Sequence, residues 1–192
     1  MHDHTSLLLY FPLLCGVMLV VDHTARLHAA TDLAHAGAFR AARSLSAHID
    51  HQGELEAGAL DAARQQAALA LLPVTPSGSL TAPVDGAVSA AADRLADELG
   101  IAMGGDLSMA AGRTTVQAWA DERPLQAGDA LRAGQIVTVV VEHDAYIRPD
   151  PVCWIFSEGA VDGAPSRTVR GAVRVVICLL YTSDAADEHS WG

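Results

Sequence analysis

The chain has 192 residues, of which 12 are basic and 23 acidic, giving a formal net charge of −11 at pH 7. So acidic a composition is a poor match for nucleic-acid phosphates and argues against a nucleic-acid-binding protein. All basic residues are arginine, so the lysine of a phosphate-binding P-loop is excluded.

An uncharged apolar stretch occupies residues 7–21 and reads Leu-Leu-Leu-Tyr-Phe-Pro-Leu-Leu-Cys-Gly-Val-Met-Leu-Val-Val. As a helix it would be about 22 Å long, somewhat shorter than the ~30 Å hydrocarbon core of a bilayer. Length alone leaves open a signal-peptide core, a buried helix of a soluble domain and a short membrane anchor. A signal peptide needs basic residues before its core and small residues after it, and neither is present here. We predict a transmembrane segment at residues 7–21 behind a short tail at residues 1–6.

The predicted anchor contains small and apolar residues that could contact lipid or neighbouring helices. A small residue such as Gly16 lets membrane helices approach closely. Cys15 could instead be lipidated, but Leu13 and Leu14 precede it where a lipoprotein signal has a small residue. We expect Cys15 to fill a lipid-facing or helix-packing position. The residues predicted to hold the anchor and mediate assembly are Leu7, Phe11, Pro12, Leu14, Gly16 and Val20.

An Ala-rich amphipathic helix is predicted at residues 22–52, ending near Gly53. Its apolar residues recur at three-, four- and seven-residue steps, which places them on one stripe. The stripe consists of Leu27, Ala34, Ala38, Ala41, Leu45 and Ile49. Since no proline interrupts this segment, we predict that it continues the anchor as one long helix. The stripe then needs a partner, either the protein's own globular domain or a neighbouring subunit.

A globular domain is predicted at residues 53–177, beginning with two more helices. The first runs from about Leu55 to Leu72 and is stopped by the Pro- and Ser-rich residues 73–79. The second begins at Asp85 or Ser89 and is closed by Gly100 and by Gly104-Gly105, which we interpret as a turn. Roughly 155 residues remain without the anchor and the C-terminal tail, enough for one compact domain.

The hydrophobic period changes to two in the last third of the chain, which predicts strands. Stretches rich in Val, Thr and Ile occur at Thr114–Asp121, Gln135–His143 and Thr168–Ile177, with a further short strand expected at Val152–Phe156. Turns are expected at residues 127–134 and at Pro149-Asp150-Pro151. Helices followed by strands predict an α+β fold with a small antiparallel sheet.

The tightest cluster of metal-ligand residue types is His48-Ile49-Asp50-His51. On a helix His48 and His51 share a face, so they could bridge a zinc ion, whereas Asp50 would point elsewhere. A zinc site needs one or two further ligands, and none has suitable spacing. We therefore expect surface histidines at a helix C-terminus, and no metal or cofactor.

Polar residues on the predicted strands offer a second place for chemistry. Alternation sends Glu142 and Asp144 to one face and His143 to the other. A general acid/base pair would need both carboxylates to converge on a substrate, and exposed rim residues are the simpler interpretation. Arg170 and Arg174 share a face that could bind an acidic partner or simply be solvated. Without a nucleophile motif, we expect no enzyme activity, no catalytic residues and no small-molecule substrate.

The C-terminal tail, residues 178–192, resembles a translated sequencing adapter in its run Cys-Leu-Leu-Tyr-Thr-Ser-Asp-Ala-Ala-Asp-Glu. We therefore expect that this tail does not belong to the natural protein; the alternative is a natural acidic tail. Without the anchor and the tail, Cys153 is the only cysteine, so no disulfide is expected within the domain.

The N-terminal quarter resembles the TadE/TadG-like proteins, the minor pseudopilins of the tight-adherence pilus. The resemblance lies in the apolar segment with an early proline, in a polar exit at Asp22 and in Ala34-His35-Ala36-Gly37-Ala38-Phe39-Arg40-Ala41-Ala42. The strand Thr168–Val175 also looks like that family's β-rich C-terminal part. Two features depart from the family pattern: Ser6 stands where members have the glutamate cut by prepilin peptidase, and no basic leader precedes it.

The resemblance implies a single-pass protein of the bacterial inner membrane that assembles with other pilus or secretion subunits. Its globular domain would lie in the periplasm. Charge alone indicates the opposite orientation, because Arg26, Arg40 and Arg43 follow the anchor and no arginine precedes it. The alternative function is an anchored extracytoplasmic binding module unrelated to pili.

Overall fold

The computed structural model describes residues 3–75, 104–161 and 163–178. Helices come first and an antiparallel sheet follows, so the predicted α+β fold is confirmed. The helix predicted between Asp85 and Leu99 lies outside the described residues, as does the tail beyond Cys178.

Helix α1 runs without a break from Asp3 to Ala47, which confirms that the apolar stretch and the amphipathic segment form one helix. At 1.5 Å per residue its 45 residues are about 68 Å long. It ends earlier than predicted because Asp50 organises a turn, in which its carboxylate accepts the backbone N–H groups of Gln52 and Glu54. Ile49 then pairs with Leu55 in an isolated β-bridge, and this pairing requires extended backbone.

Helix α2 spans Ala59–Leu71 and continues as a 3₁₀ turn at Leu72–Val74. Its predicted start at Leu55 is wrong, because Leu55 is tied to the loop at Asp129 by a backbone hydrogen bond. Gly58, whose φ is +88°, then redirects the chain into the helix. Helix α3 spans Gly104–Gly112, so the predicted Gly104-Gly105 turn is also wrong: the two glycines begin a helix.

The sheet has five antiparallel strands in the order β2-β1-β3-β5-β4. The strands are β1 Thr114–Ala120, β2 Arg123–Pro124, β3 Ile136–Tyr146, β4 Gly159–Val161 and β5 Ala164–Val176. The three long strands were predicted, although β3 and β5 extend further at the end where they are joined. The two short strands were not.

The strand predicted at Val152–Phe156 is wrong, since Cys153–Phe156 forms a short helix, α4. Asp150 explains the difference. Its carboxylate accepts the Val152 N–H at 3.0 Å and its backbone carbonyl accepts the Cys153 N–H at 3.2 Å. These two bonds start a helical turn, and they outweigh the preference of the apolar residues for a strand.

The hydrophobic core lies between helices α1 and α2 and one face of the sheet. The stripe on α1 is buried at Ala34, Ala38, Ala41 and Leu45, as its spacing predicted. Small residues permit direct backbone contact here. A Cβ added to Gly171 of β5 would clash with the backbone carbonyl of Ala34, so the strand crosses the helix with no side chain between them.

Helix α1 crosses the sheet in a definite direction. Ala34 contacts the middle of β5 at Gly171, whereas His23 contacts Asp150 and Phe156 in the connection between β3 and β5. This connection therefore occupies the end of the domain from which α1 projects toward its apolar N-terminal part.

Candidate membrane anchor and assembly surfaces

The N-terminal part of α1 projects from the domain with its apolar side chains exposed. Phe11 is 68% exposed and Leu14 60%. The other exposed large apolar residues of this part are Tyr10, Leu13, Val17, Met18 and Val21. Within the described residues, α1 is the one helix long and apolar enough to cross a membrane. An exposed apolar surface of this size is unfavourable in water and marks a contact with lipid or protein.

The residues predicted to form the anchor occupy different faces of this projecting segment. Phe11, Pro12 and Leu14 are exposed, whereas Gly16 and Val20 are half-buried. A Cβ added to Gly16 would meet no atom within 4 Å, so the space beside this glycine is open. The side chain of Leu7, the sixth predicted residue, lies outside the described part.

Next to Gly16, the thiol of Cys15 is free and exposed. Pro12 lies inside the helix and has no N–H to donate, which removes one helical hydrogen bond. Membrane-spanning helices tolerate such a proline better than most soluble ones do.

A polar clasp fixes the base of the projecting segment to the domain. His23 is only 2% exposed, and its Nε2 atom lies 2.7 Å from a carboxylate oxygen of Asp150. Its ring packs on Phe156 with 5.1 Å between ring centroids. Sequence reasoning missed this clasp, because its partners are 127 residues apart and neither belongs to a motif.

The pKa of Asp150 is lowered by the clasp and by the turn that it organises. Desolvation acts to raise the pKa, but the hydrogen bond from the Val152 N–H, the hydrogen bond and charge of His23, and the hydrogen bond from the Cys153 N–H outweigh it. The carboxylate is thereby held in its charged form next to His23.

The outer face of the sheet, which no described element covers, is polar at one end and apolar at the other. At the polar end Glu142 lies 3.6 Å from Arg170, and Asp144 accepts a hydrogen bond from the Thr168 hydroxyl at 2.8 Å. At the apolar end Ile136 and Val176 are cross-strand partners, and both are more than half exposed.

Residues 142–144 alternate between the two faces as predicted. The carboxylates of Glu142 and Asp144 each bind a different partner on β5. Arg170 and Arg174 are both exposed on this same face, and Arg170 is paired with Glu142.

His143 is not the rim residue that the sequence indicated, because it is 1% exposed and faces the core. The Thr114 hydroxyl donates to the carbonyl of Ala110 at 2.6 Å, so the same oxygen accepts the N–H of His143 Nδ1 at 3.0 Å. Desolvation lowers the pKa of His143 to about 4; the charge of Arg113 also lowers it, and Asp144 opposes the shift. His143 is therefore a neutral histidine at neutral pH that joins β3 to β1.

The His48–His51 cluster lacks the geometry that a shared metal would need. Helix α1 ends at Ala47, so the prediction that both histidines share a helical face is wrong. The Nδ1 atom of His48 lies 2.8 Å from the carbonyl of Ser44, and Asp50 is engaged in its turn. The hydrogen bond from the Glu54 N–H is the main cause of the lowered pKa of Asp50. Desolvation opposes this shift, and the Gln52 N–H, the charge of His51 and the Gly53 N–H lower the pKa further. Among residues 3–75, 104–161 and 163–178, no group of three potential ligands could hold a metal ion.

Comparison of the chain with protein-family models, with curated proteins and with solved structures found no match.

Proposed function

We propose that this protein is a non-enzymatic, single-pass subunit of a pilus or secretion assembly in the bacterial inner membrane. One observation carries the proposal: α1 is a continuous helix whose N-terminal part is apolar and exposed, while its C-terminal part is built into the core. The resemblance of residues 6–47 to TadE/TadG-like pseudopilins supports a role in a pilus.

The length of the projecting segment supports a membrane-spanning role. From Asp3 to Val21 it is about 28 Å long, close to the ~30 Å hydrocarbon core. Apart from His4, no acidic or basic residue occurs between Asp3 and Asp22. The segment can therefore be covered by lipid over nearly the full thickness of the hydrocarbon core.

Replacing Leu14 with Arg tests the anchor. A charged side chain near the middle of a membrane helix costs about 3 kcal/mol on insertion scales, equivalent to about a hundredfold shift away from the membrane. We expect Leu14→Arg to leave the membrane fraction. Phe39→Arg is the matched control, because Phe39 is an equally exposed apolar residue of α1 within the domain. Retention of both variants in the membrane would contradict the proposal.

Association through the anchor is supported by Gly16 and Cys15. The open space at Gly16 lets a neighbouring helix approach its backbone closely, and the adjacent Cys15 thiol would then lie near that neighbour. We propose that the anchor of one subunit packs at Gly16 against the anchor of another.

Native Cys15 is the reporter for this packing. With Cys153 and Cys178 replaced by Ser, treatment of membranes with an oxidant should join Cys15 to Cys15 of a neighbouring anchor and produce a larger, reductant-sensitive species. Gly16→Leu should abolish this product, because its side chain fills the space that the neighbour needs, whereas the control Val17→Leu should not. A chain that stays monomeric under oxidation in native membranes would contradict an assembly role through this face.

The domain is placed in the periplasm by the resemblance, whereas the arginine distribution favours the cytoplasm. Arg174→Cys puts a thiol on the exposed outer face of the sheet. In a background in which the native cysteines are serine, a membrane-impermeant maleimide should label this thiol in spheroplasts. Labelling only after cell lysis would place the domain in the cytoplasm.

An anchored binding module unrelated to pili predicts a different genomic context. Neighbouring genes for a secretion ATPase and a prepilin peptidase would favour the pilus assembly, and their absence would favour the binding module.

A further inference from the structure

The connection between β3 and β5 carries exposed apolar side chains at the end of the domain from which the anchor projects. In helix α4, Trp154 is 73% exposed and Ile155 is 51% exposed. Outside α1, the only other exposed large apolar residues among those described are Ile136 and Val176, a cross-strand pair. Ile136 pairs with the last residue of β5, at the opposite end of that strand from its connection to β3.

The position of α4 is fixed against the base of the anchor. His23 lies two residues, or about 3 Å of helix rise, beyond the apolar stretch that ends at Val21. The clasp holds both sides of α4 to this level of α1, since Asp150 precedes α4 and Phe156 ends it. Trp154 therefore lies in the same single helical turn as Phe156, which packs on His23 just after the apolar stretch of α1.

We propose that Trp154 and Ile155 form a second membrane contact, in the headgroup region of the same bilayer that α1 spans. The inference rests on the proposed function, because it requires α1 to lie in the membrane. Two contacts, one spanning and one interfacial, would fix the tilt of the domain relative to the membrane. The outer face of the sheet would then be held in one orientation toward neighbouring subunits.

The chemistry of this surface fits a lipid headgroup region. Tryptophan is enriched at that depth because its ring is apolar while its indole N–H needs a polar partner. Here the N–H of Trp154 donates to the carbonyl of Pro151 at 3.1 Å, so the ring can enter a less polar layer without losing that bond. Arg148, two residues before Asp150 in the chain, is exposed and can bind anionic headgroups, whereas the exposed Arg26 is paired with Asp22 at 2.9 Å.

Quenching of tryptophan fluorescence by brominated lipid tests the contact directly. The full chain is reconstituted into phosphatidylethanolamine–phosphatidylglycerol vesicles whose acyl chains are brominated either near the headgroups or near the bilayer centre. In one variant Trp154 is the only tryptophan, with Trp119 and Trp191 replaced by Phe. In the matched control Trp119, on the outer face of the sheet, is the only one.

The inference predicts that headgroup-proximal bromine lowers Trp154 emission at least about twofold, because the indole lies at that depth. Deep bromine should quench it less, and Trp119 should be quenched by neither lipid. Flotation of the vesicles separates the two proposals. A chain that floats with the vesicles but has an unquenched Trp154 keeps its anchor and lacks the second contact. A chain that does not float overturns both proposals.

A second measurement covers the case in which a tryptophan variant fails to fold. Ile155→Cys, with the other cysteines replaced by Ser, is labelled with a nitroxide in the same vesicles. The inference predicts greater accessibility to oxygen than to a water-soluble nickel complex, whereas a label at Arg170→Cys should show the reverse. Equal behaviour of the two labels would overturn the inference.

Discussion

At the scale of single residues, the most demanding contact is the one between Gly171 and α1. The strand and the helix meet backbone to backbone, with no room for a Cβ at this position. Glycine is required here because it has no side chain. Its small size lets α1 lie directly against β5 and bury the alanine stripe.

Gly171→Ala should therefore destabilise the domain. The added methyl would clash with the backbone carbonyl of Ala34, so helix and strand must separate, and overpacking of this kind costs about 1–3 kcal/mol or more. Thermal unfolding in detergent micelles should show a lowered midpoint. Gly159→Ala is the control, because a Cβ at Gly159 meets nothing within 4 Å. Equal midpoints for the two variants would refute this account of the crossing.

His143 makes the stability of the domain depend on pH. Its pKa is lowered from 6.5 to about 4 in the folded protein, so the unfolded chain binds more protons between these values. Stability is then fully present above pH 6.5 and is lost as the pH falls toward 4, by up to about 3 kcal/mol.

Urea unfolding at a series of pH values checks the contribution of His143. His143→Gln should flatten the profile between pH 6.5 and 4, because it removes the titrating group. His51→Gln, which replaces an exposed histidine, should leave the slope unchanged. A wild-type slope that survives in His143→Gln would show that another group carries it.

At the scale of secondary-structure elements, the packing of α1 on α2 depends on small residues along the seam. A Cβ added to Gly37 of α1 would lie 3.3 Å from the carbonyl oxygen of Ala67 of α2. Ala38, which follows Gly37, and Ala63, one turn before Ala67, are both completely buried. Two helices that meet through such side chains can approach closely, and they leave little space for a larger group.

Ala38→Leu should consequently lower the unfolding midpoint of the domain. Its three extra carbon atoms have no space between α1 and its neighbours, and overpacking costs about 1–3 kcal/mol. Ala36→Leu is the matched control, because Ala36 is exposed on the same helix. Circular dichroism on heating should separate the two variants; a midpoint for Ala38→Leu as high as that of Ala36→Leu would mean that the seam is loosely packed.

The elements differ in how well the sequence predicts them, for a physical reason. The apolar stripe on α1 and the alternation of buried and exposed residues on β3 are periodic within a single element. Residues close together in the sequence are therefore enough to predict them. The helix at Cys153–Phe156 depends on the turn at Asp150, and Asp150 also pairs with His23 from the other end of the chain. The apolar residues at positions 152–156 favour a strand and indicate neither the Asp150 turn nor the pairing of Asp150 with His23.

The same limit applies to the candidate surfaces. The exposed apolar segment of α1 is predicted from composition alone, since no side chain elsewhere in the chain is needed to recognise it. The burial of His143 cannot be predicted in this way, because the residues around it come from β1, β3 and the end of α3. A histidine between two acidic residues has the sequence pattern of an exposed strand end, and only the pairing of β3 with β1 places it in the core.

At the scale of the whole molecule, the exposed apolar segment and the folded domain divide α1 between them. The buried cluster takes its first α1 residue at Ala30, and Leu27 is partly buried against it. The described residues before His23 contribute nothing to that cluster. The domain should therefore keep its fold without the apolar segment, provided that the clasp at His23 and the stripe are retained.

A chain beginning at Asp22 should accordingly be soluble without detergent and should unfold at nearly the same temperature as the full chain. The reason is that the truncation removes exposed apolar surface while retaining the buried cluster and the His23–Asp150 pair. A chain beginning at Arg43 is the matched control: it lacks Ala30, Ala34, Ala38, Ala41 and Ala42 of the buried cluster, and it should not fold. Sedimentation and thermal unfolding measure both outcomes. If the chain beginning at Asp22 aggregates while the full chain in micelles remains folded, the apolar segment supports the domain itself, and the division of α1 into anchor and core helix is wrong.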